Sequence, residues 1–93
     1  MNKKERREDV ATDLKGFLEN FTPEFSWEEF DEQARDDVYT IIDRLNKEDL
    51  LMTDSEILLC ELLLELMIFW WYPGNTYSIP DFTTSVLKAL PGA

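Results

Sequence analysis

Residues 54–72 read DSEILLCELLLELMIFWWY. From Ile57 to Tyr72 the only charged residues are Glu61 and Glu65. The run is too long for a strand and does not alternate, so it predicts a helix. Thr53 and Glu56 form a capping box that starts it at Asp54, and Pro73-Gly74-Asn75 stops it. Asp54, Glu61 and Glu65 trace one thin polar stripe along it. A helix apolar almost all round belongs in the interior of something. Either the other helices of the chain surround it, or a second copy does. A membrane span is not expected, because the run is short and carries two carboxylates.

The flanking sequence is helical on both sides. Before it, Ser26 and Glu29 form another capping box, with Phe25 able to staple onto Phe30. Trp27, Phe30, Ala34, Val38, Ile41, Ile42 and Leu45 then step by three or four residues, which predicts a helix from Trp27 to about Leu45. Residues 46–52 are the connection to the apolar helix. At the start of the chain, Val10, Leu14, Phe17, Leu18 and Phe21 make one stripe on a helix from about Lys4 to Asn20. Bases open that helix, against its dipole, so residues 1–7 are expected to form a frayed basic end. Pro80 suits the first turn of a short fourth helix, with Phe82, Val86, Leu87 and Leu90 inward and Pro91-Gly92 beyond it. The expected fold is all-α: a single domain over residues 1–93, arranged as a compact four-helix array with the apolar third helix central.

Charge divides the chain. Nine bases and 20 acids give a net charge of −11. Lys3, Lys4, Arg6 and Arg7 outweigh Glu5 at the start. Residues 8–65 hold 18 acids against Lys15, Arg35, Arg44 and Lys47, and residues 66–93 hold only Asp81 and Lys88. Such a field repels nucleic-acid phosphates and anionic membrane surfaces, and attracts a basic protein surface. One cysteine, Cys60, excludes an internal disulfide, and Glu8, Asp9 and Asp13 follow the basic start where a signal peptide would be apolar. A cytoplasmic setting is expected.

The chain has no histidine. That removes the commonest general base, the commonest metal ligand and every histidine-activated nucleophile. Cys60 lies in the apolar run and reads as a small buried hydrophobe. Glu61 and Glu65 have the one-turn spacing of helical carboxylate metal sites, but such sites add histidines; the two glutamates read instead as an exposed edge, or as partners for Arg35 or Arg44. No phosphate loop or zinc motif occurs. Neither catalysis, a cofactor nor a metal is expected.

Two features bear on binding. The second helix carries Glu28, Glu29, Glu32, Asp36, Asp37 and Asp43 off its apolar stripe. Carboxylates one turn apart lie about 5–6 Å from each other, comparable with phosphates along a strand, so this face suits DNA mimicry as well as plain solvation. The run Phe69-Trp70-Trp71-Tyr72 projects through about 300° on a helix, too wide for a single core face. An aromatic among Trp70, Trp71 and Tyr72 that reaches the surface is a favoured interface anchor.

In composition, a short acidic helical chain without catalytic groups resembles phage-encoded anti-CRISPR and anti-restriction inhibitors. Tyr72-Pro73 and residues 78–90 are similar to the tyrosine-proline turn and last helix of colicin nuclease immunity proteins, whose third helix is several turns shorter. Both resemblances imply an inhibitor of another protein. The expectation is a non-catalytic binder that docks its carboxylates on a basic, nucleic-acid-binding surface. The alternative is an assembly protein that dimerises through the third helix, in which case Trp71→Asp should yield monomers. A helix-turn-helix regulator is disfavoured because no helix is basic enough to enter a groove.

Overall fold

The computed structural model describes residues 2–21, 32–69 and 79–91. It contains four helices: α1 (Lys3–Phe21), α2 (Glu32–Asn46), α3 (Asp54–Phe69) and α4 (Ile79–Ala89). The all-α four-helix array is as the periodicity predicts. The expected first turn of the second helix, with the Ser26–Glu29 box and the Phe25–Phe30 staple, lies outside the described residues. So do the last turn expected of the third helix and its Pro73-Gly74-Asn75 stop.

The start of α3 follows its sequence closely. The Thr53 amide donates to Glu56 Oε1 at 2.7 Å, and the Glu56 amide donates to Thr53 Oγ1 at 3.2 Å. Both bonds satisfy amides that have no partner within the helix, which is what the box predicts.

Each helix buries one seam in a common core. Val10, Ala11, Leu14, Phe17 and Leu18 come from α1, and Ala34, Val38, Ile41, Ile42 and Leu45 from α2. Ile57, Cys60, Leu63 and Met67 come from α3, and Val86 from α4, with Leu90 just beyond it. The α1 and α2 seams match the described part of the stripes read from their spacing; the side chains of Phe21, Trp27 and Phe30 lie outside the described residues. In α4, Phe82 and Leu87 are only half-buried against this core, while Thr83 is fully buried. Each fully buried aliphatic side chain contributes about 1.5–3 kcal/mol. The radius of gyration, 12.7 Å, is close to the ~12 Å expected of a closely packed chain this long.

The helices pack as a four-membered ring. α1 packs against α2 and α3, and α4 packs against the same two. α2 and α3 therefore stand at opposite corners. The other helices do not surround α3, and the face away from its core seam is open. Leu58 is 50% exposed, Leu62 40% and Ile68 40%, with Glu65 also exposed among them.

The basic end of α1 departs from expectation. It is helical from Lys3, and three interactions explain why. Asn2 caps it, accepting the Glu5 amide at 2.9 Å on its side-chain oxygen. Arg7 spends four donors on backbone carbonyls: Nε to Leu45 (3.1 Å), Nη1 to Leu50 (2.8 Å), and Nη2 to Arg44 (2.9 Å) and Lys47 (2.8 Å). These carbonyls belong to the last turn of α2 and the loop after it, where helical acceptors lack partners and the dipole favours a cation. Arg6 donates to Asp54 at 3.4 Å and to Glu61, both on α3. Bases that oppose the dipole of α1 are thus used on its two neighbours.

Candidate functional site

The outer face of α2 gathers acidic residues on the side away from its core seam. At 100° per residue, Glu32, Asp36 and Asp43 fall within about 40° of one another, opposite the seam of Ala34, Val38, Ile41, Ile42 and Leu45. Asp36 and Asp43 are exposed. Among the described residues, neither forms an ion pair with a lysine or arginine. Asp37 lies towards one flank, half-buried, and accepts a 3.0 Å bond from Gln33 Nε2 one turn earlier. It is tied within the helix, so Asp36 and Asp43 are the freer carboxylates. The Thr40 hydroxyl between them donates to the Asp36 carbonyl at 3.0 Å, turning away from its own acidic neighbours.

Of the residues expected to bind a partner, Glu28, Glu29, Trp70, Trp71 and Tyr72 lie outside the described residues. Glu32 is helical, but its side chain lies outside them too. One residue was missed. Tyr39, three residues after Asp36 and four before Asp43, is 36% exposed. The signal was available, because an aromatic on the polar side of an amphipathic helix has no core to fill. Beside Asp36 and Asp43 it is the aromatic that the described face of α2 presents.

The remaining chemistry-bearing groups are structural. Cys60 is buried in the core, and burial pushes its thiol up to about 12. A thiol held that far above neutral pH is a poor nucleophile. Glu61 does not reach Arg35 or Arg44, as its spacing had suggested; its partner is Arg6. The ring explains the change, since α1 is adjacent to α3 whereas α2 is diagonal to it. Arg44 instead donates to the Leu87 carbonyl of α4 at 3.2 Å. Among the described residues, no three acidic or thiol side chains converge as metal ligands would. No helix among them is long and apolar enough to cross a membrane.

A cleft of about 810 Å³ lies between the start of α1 and the connection from α2 to α3. Lys3, Lys4 and Arg7 line it together with Glu8, Glu48 and Asp54. The mixed signs favour neither a cation nor an anion.

No protein-family model matches the chain, and neither a curated protein nor a solved structure is significantly similar to it, so no relative's activity bears on these side chains.

Proposed function

We propose that this protein is a non-catalytic inhibitor that docks the outer face of α2 on a basic, nucleic-acid-binding surface of another protein, in the manner of a phosphate mimic. The observation that carries this reading is that Asp36 and Asp43, unpaired among the described residues, align on one exposed face with Tyr39 between them along the chain. Carboxylates that no lysine or arginine ion-pairs among the described residues are free to meet a partner's bases. The net charge of −11 speeds encounter with a basic surface, and an exposed tyrosine slows departure. A cytoplasmic target, such as a bacterial nuclease complex, fits both the acidity and the buried lone thiol. The anti-CRISPR and anti-restriction inhibitors of phages act in that setting.

The test is capture from a nuclease-treated bacterial lysate on the immobilised chain, eluted with rising salt and identified by mass spectrometry. A nucleic-acid-binding enzyme should elute at moderate salt and be displaced by added DNA. The variant combining Glu32→Gln, Asp36→Asn and Asp43→Asn should lose it while keeping its helical circular dichroism. Equal recovery on this variant would sink the mechanism.

A further inference from the structure

We infer that the cleft between the start of α1 and the α2–α3 connection binds a short apolar peptide with free ends, its carboxylate held against α1 and its ammonium against the connection. The cleft has a volume of about 810 Å³, within the range that takes small organic ligands.

Its charges are sorted by side. α1 contributes Lys3, Lys4 and Arg7, with one acid, Glu8, a turn beyond Lys4. The other side, from the end of α2 to the first residue of α3, contributes Glu48 and Asp54 and no base. In a chain of net charge −11, three bases on one wall are a local reversal of sign. Arg7 keeps its charge unneutralised. Its four bonds run to backbone carbonyls, and among the described residues it forms no ion pair. Those bonds also hold its planar fork in one place, so the wall includes a positioned cation. An anion alone would meet Glu48 and Asp54, and a cation alone would meet the bases. A ligand that carries both signs, one at each end, complements both walls.

Lys4 and Glu48 meet across the cleft at 4.0 Å, both largely exposed. A pair that exposed is held weakly. The peptide exchanges it, giving its carboxylate to Lys4 and its ammonium to Glu48. The ends of an extended dipeptide stand about 7 Å apart, so the ligand parts the two side chains and pairs with each. Asp54 already takes Arg6 at 3.4 Å, which leaves Glu48 as the acid to be exchanged.

The body between the two ends meets apolar side chains. Leu45 and Met52 line the cleft from the core, and Leu51, which also lines it, is 87% exposed. One exposed leucine by itself needs no explanation. Bordering a cleft whose buried lining is Leu45 and Met52, it adds a second apolar contact for the ligand. Asp36, Tyr39 and Asp43 do not line the cleft, so this site is independent of the α2 face.

The probe is leucyl-leucine, titrated into the full chain and followed by heteronuclear NMR. The amides of Lys4, Glu48, Leu51 and Met52 should shift together and saturate with one affinity. Acetylating the amino end of the probe, or amidating its carboxyl end, should each weaken binding about fivefold. Glu48→Gln should weaken leucyl-leucine by a similar factor yet leave the acetylated probe unaffected, since that probe has no ammonium to lose. Leu51→Ser should weaken both probes. Glu48 and Leu51 are exposed, so neither variant should change the circular dichroism. No saturable shift at these positions, or equal affinity for a probe capped at both ends, overturns the inference. Capture of a nucleic-acid-binding enzyme on α2 should proceed whichever result is obtained.

Discussion

α2 and α3 occupy opposite corners of one ring and bury comparable seams, yet α3 turns large apolar side chains to solvent among its acids where α2 turns mostly polar ones. α2 shows Asp36, Asp43 and Tyr39; α3 shows Leu58, Leu62 and Ile68. In α2 the buried positions are apolar and most outer ones polar, so its spacing identifies both faces. In α3 the inner and outer positions are both leucine-rich, and only the thin stripe of Asp54, Glu61 and Glu65 marks the side away from the core. A helix written in two kinds of residue specifies its own rotation. One written mainly in a single kind leaves rotation to its neighbours.

The sharpest way to break this comparison is to truncate adjacent leucines of α3. Leu63→Ala should cost about 2–5 kcal/mol in urea unfolding, because Leu63 is fully buried. Leu62→Ala, at an exposed position, should cost at most about 1 kcal/mol. Equal costs would mean that α3 is rotated differently from the structure. A somewhat smaller effect tests how α2 is held. Arg7→Ala strips the four carbonyls at its end of their shared donor and should cost about 1.5–3 kcal/mol. Arg7→Lys should recover little of it, since one ammonium cannot reproduce the planar fork. Full recovery with lysine would reduce the contact to simple charge. Smallest is the cap of α3. Thr53→Ala should cost about 1 kcal/mol, and Thr53→Ser should restore most of that. No loss on Thr53→Ala would show that packing alone sets where α3 begins.

The basic end of α1 extends the same lesson to electrostatics. Read along the chain, Lys3, Lys4, Arg6 and Arg7 oppose the dipole of their own helix, and fraying follows. In three dimensions Arg6 and Arg7 act on other helices: Arg7 on the carbonyls closing α2, and Arg6 on acids of α3. The Asn2 cap was readable, since Asn2 and Glu5 stand at the spacing of a capping residue and its acidic partner. Half of the candidate site was readable as well. The acids of α2 stand out by their period, whereas Tyr39 shows its role only through its exposure. The pairing of Glu61 with Arg6, 55 residues apart, has no local signal, because it depends on which helices are neighbours in the ring.

Periodicity, caps and composition by themselves determined that the chain is all-helical, that α1 and α2 bury the stripes they do, and that α2 presents carboxylates. These are properties of one turn and its neighbours, set by spacing along the chain and by amides that need partners within it. Only the tertiary structure decided that α2 and α3 are diagonal, that Arg6 and Arg7 join three helices, and that α3 leaves Leu58, Leu62 and Ile68 uncovered. The physical reason is that burial is non-directional. Hydrophobic free energy rewards covering any of the apolar faces of α3, and the shape of the packed helices selects which of them is covered.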